Sequence, residues 1–137
     1  MLERIRADFF AGQRDALDKE EAADAFARAV ASVATADFTC VMAGGALTTT
    51  YEGVEGVRDG WNDFLNAFEQ IKIIPGQVFE TEDGVLEFVQ LIGRPVGIDA
   101  DIEQDAAAVW RVRDGGLAMV EFHIDRDAAR ASAGLSS

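Results

Sequence analysis

Residues 98–125 read IDADIEQDAAAVWRVRDGGLAMVEFHID, and their patterning decides the fold. Ile98, Ala100, Ile102, Ala106, Ala108, Trp110 and Val112 share one parity, interrupted only by Gln104. Asp99, Asp101, Glu103, Asp105 and Arg111 take the other. A period of two belongs to an extended strand with one buried and one wet face. Strands commonly run to about five or six residues, so a bend or bulge is expected within one this long. Asp114-Gly115-Gly116 then turns the chain into LAMVEFHID. The apolar residues match across that turn if Arg113 faces Leu117, Val112 faces Ala118, Trp110 faces Val120 and Ala108 faces Phe122. A two-residue loop would set Arg111 against Ala118 and break the apolar face. The pattern therefore predicts a three-residue loop with a glycine in the left-handed region at its end.

Upstream, VFETEDGVLEFVQLIG (78–93) predicts two strands around Glu82-Asp83-Gly84, with Gly93 to Gly97 as another turn. Ile71 to Ile74 is a further strand that meets Pro75-Gly76. In EGVEGVRDGWNDFLNAF (52–68), Val57, Trp61, Phe64, Leu65 and Phe68 form the stripe of an amphipathic helix. Residues 37–42 and 47–51 are short strands on either side of Gly44-Gly45. Residues 1–34 read as helical. Leu2, Ile5 and Phe9 fall on one face, Gly12 is a stop, and Ala22, Phe26, Ala29, Val30 and Val33 form a second stripe. That second helix opens on Asp18, Glu20 and Glu21, which suit the positive end of its dipole. From Arg126 the chain is a polar tail with an alanine-rich turn and Gly134. Helices followed by antiparallel strands are buried economically by a curved sheet wrapped around the helices, an α+β fold. With 137 residues, against roughly 150 per domain, a single domain over 1–137 is expected.

The formal net charge is −13. A role resting on phosphate neutralisation would work against the protein's own field, so nucleic acid and anionic membranes are not expected partners. No apolar run nears the roughly 18 residues of a membrane span, and the start of the chain turns charged at once. A cytoplasmic location is expected. One cysteine excludes an internal disulfide, and one histidine excludes a multi-histidine metal site.

Tyr51-Glu-Gly-Val-Glu-Gly-Val-Arg-Asp-Gly-Trp61, leading into Phe64 and Phe68, resembles the strand-to-helix passage of SnoaL-like domains. Val109 to Leu117, followed by Phe122-His123-Ile124-Asp125-Arg126 and the alanine-rich tail to Leu135, resembles their C-terminal strands. These domains belong to the nuclear transport factor 2-like (cystatin-like, ketosteroid isomerase-like) superfamily, and the resemblance covers residues 19–135. It implies a cone-shaped half-barrel: a strongly curved, mostly antiparallel sheet around N-terminal helices, with an apolar pocket at the open end. It does not choose a chemistry, because the superfamily holds isomerases, epoxide hydrolases, dehydratases, cyclases and non-catalytic modules. The resemblance would put an isomerase's base near Met42, its protonated acid near Ala108, and an epoxide hydrolase carboxylate near Phe122. None of the three is ionisable. Glu121 and Asp125 carry carboxylates at the end of the sheet, but with parity opposite to Val120 and Phe122.

The remaining candidates each have a plain structural reading. His123 has the parity of Glu121 and Arg111, which makes it an outer-face histidine rather than an acid/base group. Asp99-x-Asp101-x-Glu103-x-Asp105 resembles the start of a calcium loop, but Gln104 and Trp110 stand where that loop needs glycine and glutamate. The alternating strand accounts for the carboxylates, and no metal or cofactor is expected. Cys40 reads as a buried, inert thiol. Trp61 and Trp110 are core or ligand-stacking residues. Gln90 shares parity with Leu86, Phe88 and Ile92, and Gln104 lies on the apolar side of its strand; a buried amide must find hydrogen-bond partners, in each other, backbone or a ligand. The expected pocket lining is Met42, Tyr51, Trp61, Phe88, Gln90, Gln104, Ala108, Trp110, Val120 and Phe122. Val89, Leu91, Val109, Leu117 and Met119 fall on the outer face, where so much apolar surface predicts a cover, here a homodimer. Two functions follow. One is a pocket that binds or acts on a hydrophobic, possibly cyclic small molecule by cofactor-free isomerase, cyclase or hydratase chemistry, its catalytic group unassigned. The other is a non-catalytic dimeric ligand carrier or accessory subunit.

Overall fold

The structure, a computed structural model, describes residues 27–28, 30–44 and 47–135. The helices expected over 1–34 lie outside the described residues, apart from helical positions 27, 28, 30 and 31. From there the order is β1 (Ala34–Gly44), β2 (Leu47–Glu52), α1 (Gly53–Leu65), β3 (Phe68–Thr81), β4 (Gly84–Pro95), β5 (Ile102–Arg113), β6 (Gly116–His123) and α2 (Arg126–Ser132). The six strands form one sheet in the order β2-β1-β6-β5-β4-β3. The β1–β6 pair is parallel and every other pair antiparallel. The fold is the α+β half-barrel with a strongly curled, mixed sheet.

The face packed against α1 is the inner face. Phe38 and Cys40 of β1, Val57 and Trp61 of α1, Val89 and Leu91 of β4, Ala106, Ala108 and Trp110 of β5, and Leu117 and Val120 of β6 form one buried cluster there. Phe68, expected to close the helical stripe, opens β3 instead and still packs on this cluster. A second cluster lies on the outer face, where Leu86, Phe88, Ala107 and Val109 are covered by Ala129 and Ala133. Part of the cover expected for the outer face is thus intramolecular, supplied by the alanine-rich tail folded as α2. Asp125 caps this helix, its Oδ1 accepting from the amides of Asp127 (2.9 Å) and Ala128 (3.3 Å).

Three expectations are corrected. First, β4 has the opposite orientation. Val85 faces Trp110, Glu87 faces Ala108 and Val89 faces Ala106, so the odd-numbered residues point inward with the apolar parity of β5. Leu86, Phe88, Gln90 and Ile92 point outward. Both faces of β4 are covered, so its alternation carries no direction. Second, the β5–β6 loop has two residues. Asp114 and Gly115 have φ of 53° and 80°, the twin left-handed pair of a tight hairpin. Trp110 faces Val120 and Ala108 faces Phe122 as expected, but the register shifts between Arg111 and Val112, and Val112 meets Leu117. The extra residue, Ala118, is a bulge that reconciles a two-residue turn with the apolar match. It also brings Leu117 into the inner cluster. Third, β5 begins at Ile102, paired with Gly93. β4 ends at Pro95, which has no N–H to extend a ladder, and residues 98–101 have no strand to pair with. β3, by contrast, continues through Pro75, which an edge strand tolerates at an irregularity of register.

Candidate functional site

Aromatic rings cross the inner face from sheet to helix. Trp110 on β5 stands edge-on to Phe122 on β6 at 6.3 Å between centroids, and Phe122 stands 5.0 Å from Trp61 on α1. Trp61 continues to Phe64 at 5.8 Å, and Phe64 to Phe68 at 5.5 Å. Trp110, at the sheet end of this run, is fully buried together with Val120 and Cys40, while Met42, Tyr51 and Phe122 are half-buried. Register explains the grouping: Cys40 lies between Val120 and Tyr51, and Met42 between Phe122 and Thr49.

Tyr51 closes one side. Its ring lies against α1 where the helix presents Gly56 and Gly60, and its hydroxyl donates to Asp63 Oδ2 at 3.1 Å. A Cβ on Gly56 would meet the Tyr51 carbonyl carbon at 2.9 Å, so the spacing of the two glycines is what admits the tyrosine. Burial first, and the Asp63 contact second, raise the phenol above its ordinary pKa. Burial alone pushes the Cys40 thiol up to about 12, which leaves it protonated and inert as expected.

Eight of the ten expected lining residues share this face: Met42, Tyr51, Trp61, Gln104, Ala108, Trp110, Val120 and Phe122. Gln104 is at its margin, on the exposed start of β5, and donates to the Asp105 carbonyl at 2.9 Å. Phe88 and Gln90 are on the other face. Phe88 is held between two guanidinium groups of α2, Arg126 at 4.7 Å and Arg130 at 5.1 Å from the ring centre. Gln90 faces Asp105, so the two glutamines cannot pair with each other.

The inner face also holds a group that sequence reasoning missed. Glu87 is 0 % exposed, on the same face as Trp110 and opposite Ala108. The signal for it was available in the alanine-rich tail: a cover for the outer face would have shown that the parity of Leu86 and Phe88 need not be the inner one.

The outer face carries the densest polar contacts. Arg111 donates from Nε to Glu121 (3.2 Å), from Nη1 to Asp83 (3.2 Å), and from Nη2 to the carbonyl (2.6 Å) and hydroxyl (3.0 Å) of Ser132. Ser132 Oγ donates to Glu121 Oε1 at 2.6 Å, and His123 Nε2 lies 2.9 Å from the same oxygen. The His123 contact above all, with Ser132 and Arg111, overcomes burial and holds the Glu121 carboxyl down to about 2. This cluster ties α2 to β5 and β6. His123 and Glu121 are thus on the face expected for them, away from the aromatic run. Among the described residues no group of three or more His, Cys, Asp or Glu side chains could hold a metal ion. No helix among them is long and apolar enough to cross a membrane.

The SnoaL-like domain family matches residues 13–120. The chain belongs to that family. No curated protein matches it. Among solved structures, this SnoaL-like chain is similar to a protein with a ketosteroid isomerase-like fold from Catenulispora acidiphila, in complex with trimethylamine. The two are 16% identical with a TM-score of 0.66, covering 96% of this chain and 93% of the other. TerC co-crystallised with polyporic acid is 19% identical, TM-score 0.67, with 94% and 95% covered. A candidate SnoaL-like polyketide cyclase from a Jannaschia species is 13% identical, TM-score 0.67, with 98% and 92% covered. At these identities the likeness establishes the shared fold. Within it, this SnoaL-like chain has Met42, Ala108 and Phe122 at the three positions where the family resemblance implies acids.

Proposed function

We propose that the inner face binds a hydrophobic, cyclic small molecule, and that any turnover there is a cofactor-free isomerisation, cyclisation or hydration. The observation that carries this reading is the aromatic run from Trp110 through Phe122 to Trp61 and Phe64, edge-on rings that a flat or cyclic ligand can join. Family membership supports it, as do the small molecules bound by the Catenulispora protein and by TerC. A cytoplasmic location belongs to the same reading.

A second reading, a non-catalytic carrier or accessory subunit, is favoured by the uncharged Met42, Ala108 and Phe122. It keeps the homodimer through the outer sheet face, now confined to the area α2 leaves uncovered around Thr39, Val41 and Met119. A monomeric mass by sedimentation at micromolar concentration removes the dimer.

A thermal-shift screen against steroids, terpenoids, aromatic polyketides and phenols tests the ligand site. A ligand at 100 times its Kd stabilises the fold by about 2.7 kcal/mol. The shift is expected to vanish in Phe122→Leu and to survive in Gln90→Ala, whose side chain is on the other face. Loss in both variants, or in neither, sinks the placement.

A further inference from the structure

Among the described residues five large apolar side chains are exposed, and three of them fall within seven positions. Val96 is 58 % exposed, Ile98 51 % and Ile102 43 %. Single apolar residues on a surface are ordinary, but a cluster set among Arg94, Asp99, Asp101 and Glu103 calls for a cause. The strand expected from Ile98 onward would have buried that side chain; the strand that forms starts at Ile102 and leaves Ile98 no sheet. The loop is braced all the same. The Val96 amide donates to the Ala67 carbonyl (3.0 Å), the Ile98 amide to the Pro95 carbonyl (3.2 Å), and Arg94 Nε to Asp101 Oδ1 (3.1 Å). Gly97, at φ 82°, takes the left-handed corner of the turn.

These side chains continue the inner face. Ile102 has the inward parity of Ala106, Ala108 and Trp110. It faces Gly93, which faces the buried Ile71 on β3, so at that level β4 puts no side chain between the two isoleucines. Phe68, the last ring of the aromatic run, faces Pro95, and Val96 is bonded to the residue before it. Three side chains fall far short of the roughly 20–30 residues a side of a stable protein interface. A second copy would also bring a charge of the same sign, −13. A small molecule lying along the run meets neither objection. We propose that Val96, Ile98 and Ile102 are contact residues of the ligand site, an apolar rim that loses its exposure to water when the site is filled. The site therefore takes a molecule whose outer end is apolar too. The proposal rests on the reading of the inner face as a ligand site and extends that site to the loop between β4 and β5.

N-phenyl-1-naphthylamine, an uncharged ring compound whose fluorescence rises in apolar surroundings, is the probe. It is titrated into the full chain, into Val96→Ser/Ile98→Ser and into Phe122→Leu. Both serine positions are exposed, so that pair should melt as the wild type does. The wild-type chain is expected to bind the probe, the serine pair about tenfold more weakly, and Phe122→Leu more weakly as well. Wild-type affinity in the serine pair, with loss in Phe122→Leu, overturns the rim and leaves the ligand site standing. Equal binding in all three chains, loss confined to the serine pair, or no binding at all overturns the inner-face reading and the rim with it. A sedimenting mass that falls in the serine pair assigns the rim to a second copy and overturns the proposal. Val96→Leu/Ile98→Leu, which keeps the apolar surface, is expected to retain the affinity. A fall there as large as in the serine pair shows a disturbed loop rather than a lost contact, and counts against the proposal.

Discussion

At the scale of single residues, Glu121 shows how one carboxylate can hold two elements together. Its folded pKa of about 2 lies below the ordinary value of 4.5. A depressed carboxyl stabilises the fold above its unfolded pKa, and that contribution is lost as pH falls through the folded value. Urea unfolding at a series of pH values should therefore show wild type well above Glu121→Gln at neutral pH, with the gap closing between about pH 4.5 and 2. A gap that does not change with pH would mean that the charge on Glu121 is not what matters. Gly56 sets two effects against each other. Alanine there gains roughly 1 kcal/mol of helix propensity. It also drives a methyl group into the Tyr51 backbone, and overpacking of that kind costs about 1–3 kcal/mol. Because the atom it meets is main chain, the clash should prevail, and Gly56→Ala is expected to lower the denaturant midpoint. A raised midpoint would show that β2 yields easily.

At the scale of elements, α2 is a seven-residue helix that could not persist alone. It is held by Asp125 at its N-cap, by Arg126 and Arg130 on Phe88, and by Ser132 in the Arg111–Glu121 cluster. Asp125→Ala is expected to cost about 1 kcal/mol and to raise amide exchange in α2 ahead of the strands. Uniform acceleration across the sheet would show that α2 and the sheet open as one unit. The same element marks what the sequence could and could not convey. The strands, α1 and two of the β5–β6 facing pairs, Trp110 with Val120 and Ala108 with Phe122, were legible because period and turn residues are local properties. The inward side of β4 was not, because Val85, Val89 and Leu91 on one parity and Leu86, Phe88 and Ile92 on the other are equally apolar. Only the distant tail that covers one of those faces tells them apart. Glu87 went unread for that reason, and Phe88 and Gln90 were assigned to the wrong face. The hairpin loop was misjudged by one residue because a bulge at Ala118 leaves no mark in composition.

At the scale of the whole molecule, a net charge of −13 on 137 residues repels itself. Added sodium chloride screens that repulsion, so the Tm should rise between low salt and about 0.15 M, where the screening length falls to about 8 Å. A Tm that falls instead would assign more of the stability to ion pairs such as Arg111–Asp83 than to the relief of repulsion. The parallel seam between β1 and β6 has a further consequence at this scale. Cys40 lies beside Val120, so the first strand of the described residues waits for the last. On the ribosome, β1 and β2 would leave the exit tunnel as a two-stranded ribbon, with Phe38 and Val57 awaiting Leu117 and Val120. Nascent chains stalled before β6 emerges should be digested readily by a protease, and chains released just beyond it should resist. Synthesis would then present the cell with an all-or-none transition only once β6 has emerged, and until that point chaperones have access to the unfinished sheet.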